Sequence, residues 1–450
     1  MSLYNQLKAR AEDERPIRVG IIGAGKFGTM FLAQVLRLPG IHVVGVADLD
    51  VERARSNLAL AEWPEEQFSA ANLDAAYQAG TTFVTENASV LINASVIDII
   101  VECTGNPVVA VDHLLASFGQ GKHVISATVE ADALCGAALS QEAREAGVVY
   151  SMAFGDQPAL VCELVDWART CGFEVAAAGR GHKWKPEFRF STPDSVWDHW
   201  GLTREQAERG RLNPKMFNSF LDGTKPAIES SAIANATGLD VPTNGLIYPS
   251  GSIDDLPNQM RPKSEGGVLE RIGMVEVQNC LDASGASIDY NIRMGVFVCV
   301  RAVTEYQKNC LEEYKVRTDD SGRYMCAYKR WHMIGLELGM SVANVGLRGE
   351  ATGVAEAFRA DVVAVAKRDL TAGEILDGEG GYTVAGQLRP TSVSIPMRAL
   401  PLGLASNVKL IRPVKPDDIL TYDDIEMSAD THAARLRRQL ENTIRSNTHR

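Results

Sequence analysis

Ile17-Arg18-Val19-Gly20-Ile21-Ile22-Gly23-Ala24-Gly25-Lys26-Phe27-Gly28 decides the fold. A strand pattern, Arg18 to Ile22, runs into G-x-G-x-x-G and opens a helix pattern from Phe27 to Leu38. In that setting the three glycines do different things. Gly23 allows the tight turn, Gly25 lets the backbone approach a pyrophosphate, and Gly28 lets helix pack closely on strand. The phosphates would sit at the positive end of the helix, with Lys26 and Phe27 among the cofactor contacts. A second apolar run, His42 to Ala47, ends in Asp48, an acid about twenty residues on, as a dinucleotide fingerprint requires. A carboxylate there accepts hydrogen bonds from both ribose hydroxyls and repels a 2′-phosphate, which favours NAD over NADP. Arg53 and Arg55 are the nearby cations that would meet a 2′-phosphate if the loop folded back.

Strand and helix patterns alternate as far as Met152. Strands are expected at Val43 to Val46, Thr82 to Val84, Ile97 to Cys103, His123 to Ser126 and Val148 to Met152. Helices are expected at Asp50 to Leu60, from Pro107, and at Leu134 to Ala146. The pattern predicts an α/β fold with a doubly wound parallel sheet, a Rossmann domain over residues 1–152. Thr104, Gly105 and Asn106 follow a strand end and are candidate cofactor contacts, beside the plainer reading of a small-residue turn. Glu130 follows the next strand at the carboxyl edge of the sheet, where ligands bind in open α/β folds.

A chain of 450 residues exceeds one ordinary core and implies two or three domains. No apolar run approaches the roughly twenty residues of a membrane span. The N-terminal stretch is charged rather than signal-like, so a cytoplasmic location is expected. Eight scattered cysteines without a C-x-x-C pair read as buried free thiols rather than disulfides or a zinc site. The net charge of −12, with one short basic cluster at Arg435 to Arg438 outside the middle of the chain, argues against nucleic acid as a partner.

Residues 153–355 mix helices with long irregular stretches, Arg189 to Leu212 and Asn244 to Gly267. This is the expected α+β substrate domain, with such loops serving as lids or binding loops. Residues 356–428 form a small β-rich module. Its halves, Val362 to Leu376 and Pro413 to Ile425, each read as a strand, an acidic turn and an apolar pair. A helix over Asp430 to Ser446 lies in the final segment, 429–450, and the last residues fray.

Alcohol dehydrogenation needs a group to move the hydroxyl proton and cations to hold the substrate. Gly179-Arg180-Gly181-His182-Lys183-Trp184-Lys185 reads as a small-residue loop with four cations in six positions. There Lys183 could hold an anionic substrate, or the loop could be a solvated basic turn. Lys225 lies on a turn before the helix pattern Ala227 to Thr237, and Glu229 falls on an otherwise small face of that helix. Either the two form a plain i, i+4 pair, or Lys225 donates a proton or polarises a carbonyl and Glu229 tunes it. Asp156 precedes Gln157 and Pro158 at the expected hinge between the two domains; it is a helix cap or a further catalytic candidate. No metal motif is present. A divalent metal, if used, would fall to Glu130, Asp156 and Glu229.

Further stretches carry a resemblance: Glu130-Ala-Asp132, Gly155-Asp156-Gln157-Pro158, Ala178-Gly179-Arg180-Gly181, Phe220-Leu-Asp222-Gly223-Thr224-Lys225, Ile233-Ala-Asn235-Ala-Thr237-Gly238-Leu239 and Ser264-Glu265-Gly266-Gly267-Val268-Leu269. Residues 16–350 resemble homoserine-dehydrogenase-like oxidoreductases, and residues 361–426 resemble the SAF domain. The combination is similar to the deoxyxylulose-phosphate-reductoisomerase-like family. Two positions depart from what a reductoisomerase implies: Asp48 is an acid where an NADPH site would present a base, and Gln157 stands where a glutamate is expected.

The leading expectation is an NAD-dependent oxidoreductase acting on a small anionic hydroxy or keto compound, with a skeletal rearrangement as an optional further step. The alternatives are an NADPH-dependent 1-deoxyxylulose 5-phosphate reductoisomerase-like enzyme, a plain homoserine dehydrogenase, and a dinucleotide-sensing protein without turnover. A homo-oligomer is expected from the substrate domain.

Overall fold

The computed structural model describes residues 2–210, 212–426 and 430–448. The chain divides into two compact units, Met1–Leu160 with Met333–Ala355, and Val161–His332 with Glu356–Arg450. The boundary expected at residue 428 and the last two residues lie outside the described residues.

The first unit is built on six parallel strands, β1 (Ile17–Ile22), β2 (Ile41–Ala47), β3 (Phe83–Thr85), β4 (Ile99–Glu102), β5 (His123–Ser126) and β6 (Tyr150–Met152), in the order β3-β2-β1-β4-β5-β6. The strand order reverses between β1 and β4, which is where such sheets bind ligands. Strand residues are buried on both faces, as the near-continuous Val and Ile runs require of a parallel sheet covered by helices. The helix after β1, Lys26–Val35, seats Phe31, Leu32 and Val35 in the core beside Ile21, Val46 and Val101.

Two expectations need correction here. The helix expected from Leu134 starts at Val129 and runs to Glu145, with Cys135 out of helical conformation, so Glu130 sits on a first helical turn. Residues 333–355, assigned above to the middle segment, fold with the first unit. Val342, Ala343 and Val345 of the helix Gly339–Arg348 join its core, and Gly353 accepts the Met152 N–H at 2.7 Å. A segment that returns to a sheet about 180 residues later leaves no local signal of where it docks.

In the second unit a mixed sheet runs β10-β9-β7-β8, from β7 (Glu174–His182), β8 (Met274–Asn279), β9 (Val296–Arg301) and β10 (Tyr324–Lys329). The expected basic loop at 179–182 is thus the end of a strand. Its glycines serve close approach, since a Cβ at Gly179 would strike the Glu276 carbonyl and one at Gly181 the Ile292 carbonyl. The reading of eight free thiols is also corrected. Cys299 and Cys326 stand opposite each other in the antiparallel β9/β10 register and form a disulfide, a pairing that a separation of 27 residues does not announce.

The β-rich module contributes β11 (Ala360–Ala366), β12 (Ile375–Asp377), β13 (Val384–Pro390) and β14 (Ser406–Lys409), paired β11/β13 and β12/β14. Its second expected half is not a strand. Residues 413–425 pair back through isolated bridges, Leu370 with Val414 and Val365 with Ile419, and end in a single turn, Tyr422–Asp424. Between the module and the mixed sheet lies the helix Thr224–Thr237, packed against β7, β8, β11 and β13. All its residues except Lys225 and Ala236 are buried, which its Ala and Ser content permits and a bulkier sequence would not. Arg437 of the helix His432–Thr448 pins β11 through a bidentate pair with Asp361 at 2.9 and 2.6 Å. Among the described residues no helix is long and apolar enough to cross a membrane.

Glu276 on β8 is fully buried. Its carboxylate accepts the backbone N–H groups of Val277 (2.8 Å), Ile247 (3.1 Å) and Tyr248 (3.3 Å), holding Tyr248 at a φ of 56°. Burial outweighs those donors and pushes its carboxyl up to about 7, against 4.5 in the unfolded chain. The folded state therefore holds this proton more tightly than the unfolded state. The stability it contributes is complete below pH 4.5 and is lost as pH rises toward 7, by about 3 kcal/mol. Denaturant unfolding of the second unit at both pH values checks this: Glu276→Gln should remove most of that slope, and an unchanged slope would refute the assignment.

Candidate active site

The glycine turn after β1 has the geometry its sequence implies. Gly23 adopts φ 101°, and a Cβ there would lie 2.7 Å from the Cys103 carbonyl. A Cβ at Gly28 would strike the Gly23 carbonyl, while the space in front of Gly25 is open, as an approaching pyrophosphate requires. Lys26 is exposed and Phe27 half-buried in the first turn of the helix. These residues fit a dinucleotide cradle.

Asp48 is nearly buried and already engaged. One carboxylate oxygen accepts the Ala24 N–H at 2.8 Å; the other accepts the Asp50 N–H at 2.9 Å and pairs with the half-exposed Arg53 at 2.6 Å. The acid therefore braces the glycine turn and carries a guanidinium beside it.

At the neighbouring strand end, Glu102 accepts hydrogen bonds from the Thr104 hydroxyl (2.5 Å) and the Thr128 hydroxyl (2.5 Å). Thr128 in turn accepts the Gly105 N–H at 3.1 Å. Asn106 caps the helix Pro107–Gly119 by accepting from Val108 (3.1 Å) and Val109 (3.2 Å). Thr104, Gly105 and Asn106 are all exposed, and each has a structural task at this strand end.

Glu130 is buried close to Asp132, whose carboxyl is pushed up to about 7 by burial, with the charges of Glu130 and Asp156 adding to the shift and the Tyr150 hydroxyl, donating at 2.8 Å, opposing it. Asp156 accepts the Gln157 N–H at 2.8 Å at the start of the helix Gln157–Thr170. Among the described residues no group of three His, Cys, Asp or Glu side chains is placed to hold a metal ion.

In the second unit Glu229 is buried in an ion pair with Arg180, which points from β7 toward the helix. The His182 Nε2–H donates to the Phe220 carbonyl at 2.7 Å. Its pKa is driven well down by burial and by Arg180, so it stays neutral. Of the four cations expected in 180–185, Lys185 lies 3.9 Å from the Glu187 carboxylate, which leaves Lys183 for a ligand.

Lys183 donates to the His199 carbonyl at 2.6 Å, with its ammonium 6.0 Å from the centre of the Trp200 ring. Arg293 covers the same ring at 5.0 Å. Burial, then the charge of Arg293, lower the Lys183 pKa. Among the described residues neither cation pairs with a carboxylate. Trp184 stacks on Tyr248, with centroids 4.5 Å apart and planes 9° apart. A Cβ on Gly223 would lie 3.5 Å from both the Trp184 Nε1 and the Tyr248 hydroxyl. Gly223 opens the helix that carries Lys225 at its second position, so the Lys183 strand end and the Lys225 helix start meet at one place. The Trp184 indole N–H is buried with no hydrogen-bond partner among the described residues, while its backbone N–H donates to Asn279 at 3.0 Å.

Sequence reasoning missed Arg293, Trp200, Trp184 and Tyr248. None has a neighbouring motif, and the only available hint was the tryptophan between two lysines.

Residues 23–152 match the family model for the homoserine dehydrogenase NAD binding domain, residues 155–338 that for the oxidoreductase DRL catalytic domain, and residues 361–426 that for the SAF domain. No curated protein matches the chain. Among solved structures, it is similar to a putative oxidoreductase, yvaA, from Bacillus subtilis (12% identity, 76% of this chain and 91% of that one, TM-score 0.35). It is also similar to a myo-inositol dehydrogenase from Corynebacterium glutamicum (14%, 40% and 48%, TM-score 0.26) and to a levoglucosan dehydrogenase in complex with NADH (16%, 39% and 47%, TM-score 0.26). The chain spans about half the length of the last two. The chain thus matches, in order, an NAD binding domain, an oxidoreductase catalytic domain and a SAF domain.

Proposed function

We propose that the chain catalyses hydride transfer between a nicotinamide cofactor, NAD in preference to NADP, and a small anionic hydroxy or keto compound held on the second unit. The observation that carries this reading is the Lys183 and Arg293 pair. Two like charges, half-buried against one indole ring and without a carboxylate between them, are costly unless an anion completes the site. A carboxylate or phosphate on the substrate supplies that anion.

The turn of Gly23, Gly25 and Gly28 would hold the cofactor, which when bound would supply or accept the hydride. Lys225 moves the hydroxyl proton and polarises the carbonyl, while the Trp184 indole N–H is a further donor for a substrate oxygen. Glu229 serves by holding Arg180, and Asp156 is retained as a further candidate near the start of its helix. NAD is favoured because Asp48 opposes a 2′-phosphate.

One observation favours a second reading, NADPH-dependent reduction coupled to a skeletal rearrangement. Arg53 lies on Asp48 and is half-exposed, so it has the reach to turn outward onto a 2′-phosphate.

Calorimetric titration with NADH and NADPH separates the two readings. NADH should bind more tightly, and Arg53→Ala should leave NADH affinity within about twofold. Tighter NADPH binding that Arg53→Ala abolishes would overturn the NAD preference. A turnover screen over 2-hydroxy acids, sugar acids and sugar phosphates tests the substrate class. Lys183→Met and Arg293→Met should each cut kcat/KM about 10²-fold or more and leave NADH affinity unchanged. Turnover confined to neutral alcohols would refute the anion site. Lys225→Met should lower kcat by about 10²- to 10⁴-fold on the same substrate.

A further inference from the structure

Lys367 follows β11 and is buried, its ammonium paired with the Asp222 carboxylate at 2.6 Å and donating to the carbonyls of Gly381 (2.8 Å) and Ser191 (2.9 Å). The ammonium therefore makes two hydrogen bonds to carbonyls and one ion pair, which together tie three segments to it. The three acceptors come from the turn before the helix Thr224–Thr237, from the start of the 191–221 segment, and from the loop between β12 and β13. The other Asp222 oxygen accepts the Thr224 N–H at 3.0 Å, and the Thr224 hydroxyl accepts the N–H of Gly386 on β13 at 2.7 Å. Asn218 donates to the Ser191 carbonyl at 3.0 Å and to the Gly380 carbonyl at 2.9 Å. Thr224 lies between Gly223, against which Trp184 and Tyr248 are packed, and Lys225.

We infer that Lys367 is a positioning residue of the substrate site, and that the SAF domain acts in this chain by holding the start of the Lys225 helix and the 191–221 segment in place. The links from the module, Lys367 to Asp222 and to Ser191, Gly386 to Thr224 and Gly380 to Asn218, reach the residues just before Lys225 and the 191–221 segment that leads to them. The opposite arrangement, a module with its own binding surface on a flexible tether, would not bury its lysine under the neighbouring helix. The inference rests on reading the second unit as the substrate-binding part.

Hydrogen exchange and tryptophan emission test it without a substrate, so failure of the substrate reading and failure of this one are distinguishable. In the full chain, Lys367→Met should speed exchange over 191–228 by about tenfold or more. It should also shift the emission of Trp184, taken as the difference from the same variant carrying Trp184→Phe. Exchange in β8 and β9, and NADH affinity, should stay unchanged. Asp222→Asn, which keeps an oxygen for the Thr224 N–H and loses the ion pair, should give the same pattern and serves if Lys367→Met does not fold. Unchanged exchange over 191–228 with unchanged Trp184 emission would overturn the inference. So would acceleration spread evenly over the second unit, since that marks a general core role.

Discussion

The buried pair of Arg180 and Glu229 is the constraint on which the second unit depends. Two charges removed from water, each costing several kcal/mol of hydration, persist only because each is the other's partner; deleting one would cost about 3–5 kcal/mol by stranding the other. The pair joins a strand to a helix that are adjacent to nothing in common along the chain. It also sets distances. Lys183 lies three residues beyond Arg180, about 10 Å along the strand direction, and Lys225 lies one helical turn before Glu229, about 6 Å along the axis. Fixing one ion pair therefore fixes where both candidate lysines emerge.

Much of the first unit was legible because its signals are local. Gly23, Gly25 and Gly28 act within six residues, and the Val and Ile runs of β1 and β4 report burial on both faces wherever they pair. The second unit was legible only in outline. Glu229 was read with Lys225 because they are four residues apart, whereas the partner that explains its burial, Arg180, is 49 residues away. Gly179 and Gly181 suggested a loop, although glycine within a strand also marks close backbone approach, and that was the requirement here. Arg293 and Trp200 carry no spacing relation to Lys183 at all. Asp48 shows the converse limit. The acid follows directly on β2, as its sequence position implies, but its engagement by Ala24, Asp50 and Arg53 depends on side-chain geometry that no motif encodes.

Hydride transfer rewards rigid placement, because the reacting groups must be held to within fractions of an ångström. The second unit meets that demand with buried charge rather than with short loops. Arg180 and Glu229 hold strand to helix, Lys367 and Asp222 hold the helix start to the β-rich module, and Glu276 holds the Ile247–Tyr248 backbone through its N–H groups. In each case a buried carboxylate is satisfied by a cation or by backbone donors, the condition under which burial is tolerated. Lys183 and Arg293 break that rule. They are the partly buried cations at this place without a carboxylate, in a chain whose net charge is −12 and which has acids to spare. The ion pairs of Arg180 with Glu229 and Lys367 with Asp222 neutralise their charges within the chain, whereas Lys183 and Arg293 face one indole ring, and the proposed anionic substrate would complete that place.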